Sequence, residues 1–298
     1  MNYSDRARII VVIGVAFASL SAIFIRLSDA PPLVIAFYRM LFTSFMILPS
    51  YILRLRRGRA GVPYRHSRSV VLRLVLSGVF LALHFATWIT SLQFTSVASA
   101  VVLVTLHPIF VATGSILFLR ESVRPAVFGC IFAAIAGSVI LSFADAGANA
   151  GALTGNLLAV AGAIAVSGYM LIGRAVRKTV GAVTYNFSVY ASATFMLFVF
   201  VLVRGDALSG YGLREFLIFI ALAFFCTVLG HSIFNWGLKY LPASYVSASI
   251  LLEPIFASAM AAVLFAEVPG ALAILGGVIV VVSLFGVVRL DSAARRGG

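Results

Sequence analysis

The sequence predicts an all-α integral membrane protein, with ten transmembrane helices arranged as two inverted five-helix repeats around a central cavity. Three observations predict it. Hydrophobic residues make up 62% of the chain and charged residues only 10%, and the mean hydropathy is +1.11, so a soluble globule would lack the charge to cover itself. Apolar runs of roughly membrane-crossing length, about 20 residues, follow one another along the whole chain. A single internal offset of 146 residues superposes features from the first run onto the sixth and from the fourth onto the ninth.

In order, the runs span 9–26, 33–54, 71–93, 96–119, 125–143, 153–173, 183–203, 214–238, 243–265 and 270–289. Lipid hydrates no backbone amide, and runs this long satisfy their own amides as helices rather than as barrel strands. The first run follows Asp5, Arg6 and Arg8 as a signal peptide would. It continues to Arg26 without a small-residue cleavage site, however, and is read as helix one. Connections are short and leave almost nothing for a soluble domain. Cys130 and Cys226 lie within runs and suggest no disulfide framework.

A formal charge of +13 invites a nucleic-acid reading, which its placement rejects. With the N-terminus cytoplasmic and sides alternating through ten helices, all of the 22 basic residues except Arg26, Arg39, Arg204 and Arg214 fall on the cytoplasmic side. The positive-inside rule therefore puts both termini in the cytoplasm. The basic surplus sets topology.

At the offset of 146, Pro108-Ile109-Phe110 lands on Pro254-Ile255-Phe256, Glu121 on Glu267, Leu92 on Leu238, Phe94 on Tyr240 and Ser21 on Ser167. The chain divides into halves 1–146 and 147–298. Five helices per half is odd, so the second half enters the membrane from the opposite side. Inverted repeats recur in secondary transporters, because exchanging conformations between the halves interconverts inward-open and outward-open states. The repeated proline helices, each closed by a glutamate (LREsvrP at 119–125, FAEvP at 265–269), resemble the drug/metabolite transporter superfamily, and within it the EamA-type branch. The resemblance covers nearly the whole chain. It implies a ten-helix carrier of small metabolites, often an exporter, in a bacterial inner membrane and working by alternating access. Length and aromatic-rich helices are similar to those of YddG-type amino-acid exporters.

Glu253 stands about ten residues, roughly 15 Å, into the ninth run. A carboxylate at that depth is costly and points to a pathway or relay. Tyr245, Ser249 and Glu253 share one helical face at i, i+4, i+8. Either this stripe lines a cavity, where Glu253 handles a proton or a substrate ammonium, or a neutral Glu253 pins a helix kinked at Pro254. The residues favour neither. His107, the counterpart before Pro108, is read as a hydrogen-bonding core residue.

His84 and Trp88 in the third run, and His231 and Asn235 in the eighth, form two i, i+4 pairs one residue off the repeat register. They suit a wall for a zwitterion: amide and imidazole for its carboxylate or ammonium, indole for an apolar side chain. Small-residue faces on helices one (Gly14, Ala18, Ser21, Ala22) and six (Gly155, Ala159, Gly162, Ala163, Ser167, Met170) are read as close helix packing. Tyr169 adds a large polar group to that sixth helix. Arg39 is expected to snorkel to the outer interface as a structural anchor, and Glu121 and Glu267 to cap helices five and ten. No metal is expected, because no cysteine or carboxylate joins the histidines at ligand spacing, and no cofactor is implied.

The predicted function is a secondary active or facilitative exporter of small metabolites, above all amino acids, aromatic and apolar ones included. A proton gradient or the substrate's own gradient would drive it. The alternatives are a drug, purine or sugar-type carrier of the same fold, or a polytopic membrane enzyme. Against an enzyme, the sequence has no HExxH, no nucleotide loop and no second intrahelical carboxylate to pair with Glu253.

Overall fold

The computed structural model describes residues 3–58, 67–119, 125–146, 151–177, 179–237, 240, 249–250 and 252–294. All regular structure among them is helical. The helices are α1 (Tyr3–Arg26), α2 (Pro32–Gly58), α3 (Arg68–Ser91), α4 (Val97–Val104), α5 (His107–Leu119), α6 (Pro125–Ala146), α7 (Ala152–Val176), α8 (Ala182–Arg204) and α9 (Leu213–Ala221). A π-helical segment, Leu222–His231, follows and leads into α10 (Ser232–Gly237); α11 (Glu253–Phe265) and α12 (Ala271–Ala294) complete the set. Among the described residues six stretches are long and apolar enough to cross a membrane: Ile9–Arg26, Pro32–Arg56, Arg68–Ser91, Ala152–Val176, Ala182–Arg204 and Leu213–Gly237. Val97–Val111, Ile255–Phe265 and Ala271–Ser283 are shorter apolar helical stretches.

Among the described residues the predicted runs fall on helix, but the fourth is broken where the sequence puts a proline. Pro108 has no amide for the Val104 carbonyl, and its ring disfavours helical backbone at the residue before it. The chain responds with a turn at Thr105-Leu106 and restarts as α5 at His107. In the ninth run Ser249 and Ile250 are helical, Leu252 is a turn, and α11 starts at Glu253 ahead of Pro254. Of the expected stripe, Ser249 and Glu253 stand on either side of this turn. Tyr245 lies outside the described residues.

Helix α3 lies along α7, α1 along the π-helical segment and α10, α2 along α8, and α6 along α12, while α4 meets α11. Glycines set the closest approaches. A Cβ on Gly162 would stand 3.2 Å from Trp88 Cβ and from Thr87 Oγ1, and one on Gly230 would stand 3.3 Å from the Ala18 backbone. The small-residue faces thus bring backbones together, as expected. The outward surface is apolar in the way lipid requires: Phe118, Phe132, Val203 and Val263 are all largely exposed.

Polar groups knit one end of the bundle. Arg26 pairs with Glu267, Ser28 donates to Glu215, and Arg214 Nη1 lies 2.7 Å from Asp29 Oδ2. Glu267 Oε2 also accepts the Val97 amide at 3.0 Å, beside Ser96, whose hydroxyl accepts from Ser99 N at 3.1 Å. Glu267 therefore serves the start of α4, and not the helix that follows it, as the sequence suggested. The cause is the left-handed Ala266 (φ 55°), which turns the chain back toward α4 before α12 begins. Glu121 lies outside the described residues.

Candidate functional site

A cavity of about 60 Å³ opens where the two broken helices meet α1, α3, α7 and α10. His107 and Glu253, each the first residue of a restarted helix, both line it. The N-terminal end of each half-helix thus faces the space, with the positive pole of its dipole. His84, Trp88, Tyr169, His231 and Asn235 complete a polar wall, and Val104, Val166, Met170, Phe234 and Ile250 supply the apolar lining.

Local packing orients each side chain. Because Gly162 lets α3 approach α7, the His84 ring reaches the Gly162 carbonyl, Nδ1 to O 3.0 Å. Its other face stacks on Trp88, ring centroids 6.0 Å apart and planes 5° from parallel. Tyr169 donates to Asn235 Oδ1 at 2.8 Å, and Asn235 Nδ2 donates to Asn186 Oδ1 at 2.8 Å. Tyr190 lies behind, 3.2 Å from Ser232 Oγ. Asn235 is thereby locked by α7 and α8, so this part of the wall is pre-organised. His231 receives the edge of Phe85 at 5.6 Å. Ser167, the repeat mate of Ser21, donates to the His107 carbonyl at 3.0 Å and holds the break in α4–α5 against α7.

Among the described residues two wall groups have no hydrogen-bond partner, Trp88 Nε1 and His107 Nε2. A buried polar group left unpaired costs about 1–3 kcal/mol. Two such atoms on one cavity wall mark positions a ligand can satisfy.

Arg39 overturns its expected role. Its side chain is wholly buried and does not snorkel. Nε donates to Thr227 Oγ1 at 2.8 Å, Nη1 donates to Ser21 Oγ at 2.7 Å, and the guanidinium lies 4.3 Å from the centre of the Phe85 ring. The π-helical segment presents Thr227 and α1 presents Ser21, so hydrogen bonds and a ring face hold the cation in place of interfacial water. Arg39 and Glu253 are close enough for their charges to interact. Arg39 is then a hub of α1, α2, α3 and the π-helical segment, one residue behind the cavity wall at Ser21.

Of the residues expected to bind substrate, His84, Trp88, Tyr169, His231, Asn235 and Glu253 share this cavity. Ser249 is buried but lies off the lining. Sequence reasoning passed over Thr105 and took His107 for core, yet His107 occupies Glu253's position at the repeat offset, and that register was the available signal. Asn186 and Thr227 carried no such mark. Among the described residues no group of His, Cys, Asp or Glu is arranged to hold a metal ion.

The model of the EamA-like transporter family matches twice, over residues 6–143 and 153–289. The chain belongs to the EamA-like transporter family. It is therefore a multi-pass membrane transporter. It is similar to the pseudopaline exporter CntI of Pseudomonas aeruginosa strain UCBPP-PA14, at 27% identity over 234 residues, covering 78% of this chain and 79% of the relative. The CntI of strain PAO1 aligns equally well. One solved crystal structure matches over 99% of both chains with a TM-score of 0.67 at 17% identity, a likeness of fold.

Proposed function

We propose that this chain exports small metabolites, above all amino acids, from the bacterial cytoplasm by alternating access. The observation that carries the reading is the cavity enclosed between two proline-broken helices and lined by Glu253, three imidazoles, an indole and a locked amide. Such a wall suits a small amphiphile with charged ends and an apolar side chain. The CntI relatives, named as exporters, support the direction.

Ten crossings in two inverted halves, 1–146 and 147–298, supply the mechanism. Several observations support that arrangement. The family model matches once in each half. The contact of α3 with α7 has its mirror in α1 with the π-helical segment and α10, while α6 meets α12 across the axis. Running direction agrees: α1 ends and α7 begins at the end of the bundle where Glu267 meets Val97, and Gly155 of α7 abuts Thr95 there. Rocking of one half against the other would expose the cavity to each side in turn. The basic residues keep both termini in the cytoplasm of a bacterial inner membrane. Glu253 takes the substrate ammonium or a proton between steps.

Counterflow of radiolabelled amino acids in liposomes holding the folded protein tests the reading. Accumulation of label against unlabelled internal substrate is expected. Its absence for every amino acid, alongside uptake of drugs, purines or sugars, would shift the cargo to that other class.

A further inference from the structure

The cavity's hydrogen-bonding inventory is lopsided. The Gly162 carbonyl can only accept, so His84 carries its proton on Nδ1, and in the neutral ring Nε2 is a bare acceptor. His107 repeats the device. Its ring meets the Val104 carbonyl, the one Pro108 leaves without a helical donor, while Nε2 has no partner and is buried in the cavity wall. Glu253, when ionised, accepts only. Facing these three acceptors are the His231 ring and Trp88 Nε1, a donor that cannot accept and that is likewise without a partner among the described residues. All five residues line the same space.

Resting on the amino-acid reading above, we infer that the site recognises the amino end of its substrate stringently and the carboxyl end loosely. A primary ammonium brings three N–H donors and meets His84, His107 and Glu253; the carboxylate is held by the Trp88 N–H, with the His231 ring the next donor in the lining. His107 is then a specificity-determining residue. An N-acylated substrate keeps one N–H and loses its charge, which strips charge-assisted bonds. A carboxamide keeps a carbonyl oxygen for Trp88 and gives up little.

The test uses the full chain in liposomes and counterflow of radiolabelled phenylalanine, with unlabelled phenylalanine, phenylalaninamide and N-acetylphenylalanine as competitors. The amide should compete within about fivefold of the parent, as one neutral hydrogen bond is worth, and the N-acetyl compound should be weaker by about 10- to 100-fold. In Trp88→Phe, which keeps the ring and removes the N–H, the acid-to-amide ratio should fall to about one, while His107→Leu should narrow the penalty on N-acetylation. An N-acetyl competitor as good as the parent, or an amide worse than the N-acetyl compound, overturns the polarity and leaves amino-acid transport standing. No phenylalanine counterflow in well-folded protein removes the amino-acid reading, and this inference with it. The competition series in the parent protein needs no variant to fold.

Discussion

His107–Pro108 and Glu253–Pro254 hold the same station in the two halves, and the same thing happens to the backbone at both. Each proline stops one helix, and each residue before it opens the next. Their chemistry differs completely. His107 sits against the Val104 carbonyl with Ser167 on its own carbonyl, in a setting made of backbone and one hydroxyl. Glu253 lies within electrostatic reach of the buried Arg39. The backbone break needs only the proline, so the residue ahead of it was free to diverge. One half came to carry an imidazole and the other a carboxylate.

Removing the cation should disturb this contrast most. Arg39→Leu strips the hub from Ser21 and Thr227 and leaves Glu253 without its neighbouring charge; breaking a buried charged network of this kind costs about 3–5 kcal/mol. Thermal unfolding in detergent should drop sharply, and a variant that melts with the parent would show that the guanidinium is a passenger. Next comes exchange of the two stations. His107→Glu alone and Glu253→His alone should each lower counterflow by about tenfold, a loss of roughly 1.4 kcal/mol. Combining them should rescue nothing, because Arg39 lies on one side only. Recovery in the double variant would mean that the halves are chemically interchangeable.

Glu253→Gln keeps the shape and removes the charge. Transport should fall, and its dependence on pH should flatten if this carboxylate carries a proton; an unchanged pH profile assigns coupling to another group or to none. Smaller effects belong to the frame. Gly162→Ala would push α3 from α7 at Trp88 and lengthen the His84 contact, at a cost of about 1–3 kcal/mol for overpacking, read as lowered substrate affinity at nearly normal yield. Ala266→Gly should relieve the left-handed turn and stabilise by about 1 kcal/mol, seen as a small rise in melting temperature. A fall instead would mean that the turn is held by its neighbours without strain.

Much of this was legible in the sequence because it is local. Run length and composition place the helices, and proline chemistry places both breaks. The i, i+4 pairs His84–Trp88 and His231–Asn235 do reach one cavity. What stayed hidden depends on contacts among several helices. Arg39, a few residues from a helix end, has the local pattern of a snorkelling side chain; only the meeting of Ser21, Thr227 and Phe85 from separate elements makes a dry pocket for it. Nothing in LAFFCTVLGH marks a π-helical segment. Glu267 has the spacing of a cap for the following helix, and the fold gives it to α4 through one backbone dihedral at Ala266.

That last contact gives this end of the bundle a two-part latch on a single side chain. One oxygen of Glu267 engages Arg26 and the other covers the first amide of α4, so parting α1 from α11 also exposes a helix start that must find water. Salt in the medium would weaken the ionic half and leave the amide half untouched. Opening toward that side should therefore keep a threshold even at high ionic strength, whatever the cargo inside.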